Sequence, residues 1–127
     1  MSEENVEIVR QNYEQLNETG TPALDSLDSE VEFDFAWMEG TGADAWVRAI
    51  AEWKDTFDAW EIEPRELIEA GPEQVVAIVR DRARPKGLPA SIDNEFAHLW
   101  TLLDGRVVRF QAFLTKADAL EAAGLPE

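Results

Sequence analysis

Between Glu95 and Leu125 the chain reads EFAHLWTLLDGRVVRFQAFLTKADALEAAGL, and this stretch constrains the fold more than any other. Apolar residues recur at every second position up to Leu114 and then at helical spacing, which predicts a strand, an Asp104-Gly105 turn, a second strand and a capped helix. A hairpin patterned in this way has to lay one face on a core. It also carries the chain's single histidine, His98. The side of the hairpin that His98 occupies therefore decides whether a reactive centre is available.

The remaining elements follow from local periodicity. Val6, Val9, Tyr13 and Leu16 form one helical stripe, with Ser2 as cap, Glu3 and Glu4 in the first turn and Gly20 closing the helix. Thr21-Pro22 predicts a second, shorter helix in which Ala23, Leu24 and Leu27 pack back on the first. Val31 to Trp37 alternates strictly, placing Val31, Phe33, Phe35 and Trp37 on one face of a strand. Thr41 and Asp44 resemble a capping box for a third helix, whose stripe is Trp46, Ile50, Trp53 and Phe57. Strand-like runs then cover Glu61 to Ile68, Val75 to Arg84 and Ile92 to Leu103.

With 127 residues, 45% of them hydrophobic, the chain is expected to form one domain over residues 1–127 around one core. It has 27 acidic against 11 basic residues, a net charge of -16, which repels phosphate backbones and anionic membranes. Nucleic acid and membrane are thus not expected partners. The absence of cysteine excludes disulfides, thiolate metal sites and cysteine nucleophiles. There is no second histidine and no carboxylate cluster at ligand spacing, so neither a metal nor a cofactor is implied. An acidic N-terminus and the lack of a long apolar run point to the cytoplasm.

The order of elements, helices first and then long strands, is an α+β pattern in which a sheet curls around N-terminal helices to leave a pocket at its mouth. That order, with the strings VRQNYEQLNETGTPAL, VEFDF, FAHLWTLLDGRVVRF and ADALEAAGL, resembles the SnoaL-like family of the nuclear transport factor two-like superfamily over nearly the whole chain. The resemblance implies a cone-shaped, curved antiparallel sheet wrapped around the helices, a cystatin-like α+β barrel, commonly homodimeric. Its members include polyketide cyclases, ketosteroid isomerases and non-catalytic ligand-binding domains. Catalytic relatives carry a carboxylate on the first strand or the last. Those positions fall here on Phe35-Ala36 and Ala112, with Thr115 where others have Asp, so the family's carboxylates are missing. Thr115 instead suits a helix cap with Asp118.

What is left for chemistry is His98, in one of two registers. A two-residue Asp104-Gly105 loop pairs Leu103 with Arg106 and sets His98 opposite Gln111 on a wet face. A three-residue loop pairs Leu102 with Arg106 and sets His98 opposite Phe110 on an apolar one. The second is preferred, because it buries Phe96, His98, Trp100 and Leu102 together with Val108, Phe110, Ala112 and Leu114. It leaves Ala97, Leu99, Val107 and Phe113 outside, an apolar face that predicts a homodimer.

Candidate catalytic residues are therefore His98 as acid or base, with Tyr13 or Arg80 polarising an oxygen; Arg80 enters the cone if its strand face does. Candidate ligand-binding residues are Phe35, Trp37, Trp53, Trp100, Phe110 and Ala112. Two functional classes follow. The chain is a domain binding a small hydrophobic molecule in an apolar pocket, or a small isomerase- or cyclase-type enzyme moving a proton on a hydrophobic carbonyl substrate.

Overall fold

A helix opens the chain because Val9, Tyr13 and Leu16 share a buried stripe, as their spacing predicts. The computed structural model describes residues 2–36 and 38–125. Trp37 and the side chain of the proposed cap Ser2 lie outside it. α1 (Ser2–Thr19) ends where the Gly20 amide donates to the Leu16 carbonyl at 2.9 Å, with Gly20 at φ 79°.

The second predicted helix is only a single 3-10 turn, Leu24–Ser26. Asn12 of α1 accounts for the difference: its side chain accepts from the Ala23 amide at 3.0 Å and donates to Ser26 Oγ at 2.9 Å. Leu27 is then released into a strand, where it is buried opposite Val107.

β1 (Leu27–Asp34) turns back into a short strand the sequence did not announce, β2 (Glu39–Thr41). Thr41 pairs with Glu32 in that ladder, so it does not cap the following helix. Gly42 at φ 106° takes the cap position instead, without a side-chain hydrogen bond. α2 (Ala43–Asp55) buries Trp46, Ala49 and Ile50.

Four long strands follow: β3 (Phe57–Glu69), β4 (Gln74–Pro85), β5 (Ile92–Leu103) and β6 (Arg106–Phe113), then α3 (Lys116–Ala122). The sheet order is β2-β1-β6-β5-β4-β3. Neighbours are antiparallel except β1 and β6, which run parallel. The expected all-antiparallel sheet is thus a mixed one, curved and unclosed, with β2 and β3 at its edges. The correction arises because β1 is joined to β6 only through the rest of the fold, a pairing that no local hairpin signal encodes.

The turn between β5 and β6 combines parts of both expected registers. Leu103 pairs with Arg106 across a two-residue loop, with Asp104 at φ 51° and Gly105 at φ 79°. A bulge at Val108 follows, since Leu102 pairs with Val107 while Thr101 pairs with Arg109. His98 consequently faces Ala112, neither Gln111 nor Phe110. The inward set departs from the preferred one at two places: Val107 is fully buried in the core in place of Val108, and Leu114 is exposed beyond the end of β6.

α3 lies across the convex face. Its Ala119 and Leu120 pack with Val76, Ile78, Ala97 and Leu99 in a second apolar cluster bordered by Phe113. Most of the surface thought to need a partner molecule is therefore covered by the chain's own last helix, and Val107 is not on it. Thr115 caps that helix as expected, accepting from the Asp118 amide at 3.1 Å. No helix among the described residues is long and apolar enough to cross a membrane.

Candidate functional site

The concave face of the sheet, closed on one side by α1 and α2, leaves a cavity of about 530 Å³. Its wall is almost entirely aromatic and aliphatic: Phe35 from the end of β1, Trp46 and Trp53 from α2, Trp60 and Ile62 from β3, Phe96 and Trp100 from β5, Phe110 and Ala112 from β6. Every expected ligand-binding residue among the described ones lines it, namely Phe35, Trp53, Trp100, Phe110 and Ala112. Trp37 falls outside the described residues. Leu114, 70% exposed, sits at the rim.

Polar atoms in this wall are few and concentrated. Tyr13 from α1 and His98 from β5 stack at 5.9 Å, with the Tyr13 hydroxyl 2.6 Å from His98 Nδ1. Trp100 Nε1 donates to the same hydroxyl at 2.9 Å. An indole only donates, so the Tyr13 oxygen accepts from Trp100; with its own proton given to Nδ1, all three groups are bonded. His98 is then the neutral tautomer protonated at Nε2. The reverse assignment would leave the Tyr13 proton without an acceptor among the described residues. Burial reinforces this state: it lowers the His98 pKa to about 3 and raises that of the Tyr13 phenol far above its ordinary value.

His98 and Tyr13 are thus brought together, but Arg80 is not with them. Arg80 lies on the convex face, its guanidinium 2.9 Å from Asp93, which also pairs with Arg82 at 3.0 Å. The strand face shared by Val76, Ile78 and Arg80 is the one under α3, so alternation carries Arg80 away from the cavity. By the same alternation Asp81 points in. This carboxyl, which the sequence reading passed over, is 6% exposed, lines the cavity and accepts from Trp60 Nε1 at 3.0 Å. Burial raises its pKa, and the Trp60 bond offsets part of that. The signal was present in the spacing Ala77, Val79, Asp81, opposite to the arginines.

Asp34, by contrast, turns away as expected. It accepts from the Ala36 amide at 2.8 Å and lines a separate polar cleft with Glu32, Glu39 and Arg109. Ala36 itself takes φ 75°, an unusual conformation for a residue with a Cβ. Among the described residues no group of three His, Asp or Glu side chains is arranged to hold a metal ion. Trp46 Nε1 is buried with no hydrogen-bond partner among the described residues.

No protein-family model matches the chain, and no curated protein does. Solved structures do. A nuclear transport factor two-like protein of unknown function from Burkholderia pseudomallei K96243 superposes with a TM-score of 0.77 at 23% identity, covering 93% of this chain and 95% of its own. A hypothetical protein with a ketosteroid isomerase-like fold from Catenulispora acidiphila DSM 44928, in complex with trimethylamine, also gives 0.77, at 15% identity over 94% of both chains. A candidate SnoaL-like polyketide cyclase from Jannaschia sp. CCS1 gives 0.74 at 18% identity, covering 99% of this chain and 95% of its own. The chain therefore has the nuclear transport factor two-like fold, shared with SnoaL-like polyketide cyclases and ketosteroid isomerase-like proteins, that its sequence led us to expect.

Proposed function

We propose that this chain is a single SnoaL-like domain that binds a small hydrophobic molecule in its aromatic cavity, holding it by apolar contact and one directed hydrogen bond from His98. The observation that carries this reading is the order of donors: Trp100 to Tyr13 to His98 Nδ1 leaves the His98 Nε2 proton as the donor available to a ligand acceptor such as a carbonyl oxygen. That a neighbour of the same fold holds trimethylamine supports a small organic occupant.

Catalysis by proton transfer is the second reading, and the geometry weighs against it. A histidine with a pKa near 3 is a poor base at neutral pH. The one carboxyl in the cavity, Asp81, is four residues along β4 from Ala77, the cross-strand partner of His98. At ~3.3 Å per residue the backbone positions are about 13 Å apart along the sheet, and among the described residues no hydrogen bond joins the two side chains.

The test is a nuclear magnetic resonance titration of the His98 ring with a panel of hydrophobic ketones and quinones. Binding is expected to shift the Nε2 proton and nitrogen while the imidazole stays neutral. A panel that leaves both resonances and the tryptophan fluorescence unmoved ends this reading. A homodimer in the cytoplasm completes the proposal. The patch first held to require a dimer is covered by α3, so sedimentation at micromolar concentration decides it, and a monomer ends that part.

A further inference from the structure

The cavity wall carries a second polar group besides the His98 cluster, the Asp81 carboxyl, which has one hydrogen-bond donor and no cation among the described residues. Asp81 sits between Ile62 of β3 and Asn94 of β5 in the ladder, 94% buried by its 6% exposure. One carboxyl oxygen, Oδ2, accepts from Trp60. The other accepts nothing among the described residues, and no lysine or arginine pairs with the group. Its flanking arginines, Arg80 and Arg82, are committed to Asp93 on the opposite face.

A buried carboxylate without a cation is costly, and the usual remedy is a positive charge brought against it. The surroundings suit one. Trp53, Trp60 and Phe96 line the same cavity, and indole and phenyl faces attract cations that have shed water. A net charge of -16 also concentrates cations at the mouth and turns anions away.

We propose that Asp81 and its aromatic collar receive a positively charged nitrogen, so that the occupant of this pocket is a hydrophobic amine or quaternary ammonium. The inference rests on the ligand-binding reading above and narrows its chemical class. Because Asp81 lies four residues along β4 from Ala77, the cross-strand partner of His98, a ligand that reaches both groups carries its hydrogen-bond acceptor apart from its nitrogen.

Two matched probes test it: benzyltrimethylammonium and its neutral carbon isostere neopentylbenzene, titrated at fixed ionic strength and followed by tryptophan fluorescence. The intact protein is expected to bind the cation about tenfold or more tightly than the isostere. Asp81→Asn is expected to abolish that preference while leaving isostere binding within about twofold. Asp93→Asn, which removes the same charge from the convex face, is expected to keep it. Equal binding of both probes by the intact protein overturns the inference and leaves the pocket reading standing, so the result does not depend on the Asp81 variant folding. A preference that survives in folded Asp81→Asn overturns the role of Asp81. Failure of both probes to bind, with the ketone panel also silent, removes the pocket reading and this inference with it.

Discussion

Tyr13 and His98, 85 residues apart in the chain, meet through a 2.6 Å hydrogen bond at a hydroxyl that also accepts from a third residue, Trp100. The ring nitrogens of His98 are accordingly inequivalent. Nitrogen chemical shifts are expected to show a protonated Nε2 and a bare Nδ1 from pH 8 down to about pH 4. A doubly protonated ring at pH 6 would contradict the arrangement.

The same burial makes stability depend on pH in a fixed sense. His98 has a folded pKa near 3 against 6.5 for the free side chain, so the unfolded chain takes up a proton that the folded one refuses. Stability from this group is full above pH 6.5 and falls as pH drops, by about 3 kcal/mol between pH 7 and pH 4 at ~1.4 kcal/mol per pH unit. Asp81 acts oppositely: with its folded pKa raised, it costs stability as pH rises past 3.8. Urea melts of the protein and of His98→Gln at both pH values isolate the first effect, the wild-type protein losing more on acidification.

Removing the shared hydroxyl should cost more than its size implies. Tyr13→Phe deprives Trp100 Nε1 of its acceptor and His98 Nδ1 of its donor, in a site where all three residues are buried. A loss of about 2–4 kcal/mol is expected in chemical unfolding, with an altered His98 titration.

Two equally buried tryptophans provide an internal comparison. Trp46 and Trp100 are each 1% exposed, but only Trp100 has its Nε1 bonded. Phenylalanine at position 46 removes an unmet donor, whereas at position 100 it breaks a bond. Trp100→Phe is therefore expected to be about 1–2 kcal/mol more destabilising than Trp46→Phe by thermal or urea unfolding.

Small residues beside the aromatic wall behave in opposite ways. A Cβ on Gly40 would collide with the tip of the Phe33 ring, which stacks on Phe35 at 4.8 Å. Gly40→Ala is expected to destabilise by about 1–3 kcal/mol through overpacking. Ala36, held at φ 75°, gains from losing its Cβ, and Ala36→Gly should stabilise by about 0.5–1 kcal/mol in the same assay.

How far the sequence disclosed all this varies with the range of the interaction. Thr115 and Asp118 are three residues apart, so the cap was legible from local chemistry, as was the existence of the hairpin, although the preferred three-residue loop gave way to the two-residue one. The bulge at Val108 was not, because it results from Val107 fitting the core better than its neighbour, a packing outcome without a turn residue to mark it. The polar ties of α1 were equally silent. Asn17 both donates to and accepts from the backbone of Ile62, at 2.6 and 2.9 Å, yet an asparagine on a helix reads as solvated. In the site, His98, Tyr13 and the aromatic lining were found by periodicity. The facing of Arg80 stayed open, and Asp81 was missed, because only a helix 40 residues downstream makes the face shared with Val76 and Ile78 the other core.

The parallel pairing of β1 with β6 also imposes an order of assembly. Phe33 and Phe35 emerge early in synthesis, but their strand has no long neighbour until β6 arrives, some 70 residues later, with Phe110 to meet them. Until then the strand that carries the cavity floor has only the three residues of β2 beside it. The cavity wall is thus incomplete until β6 is made, and a chain cut short before β6 would expose the aromatic surface that lines it.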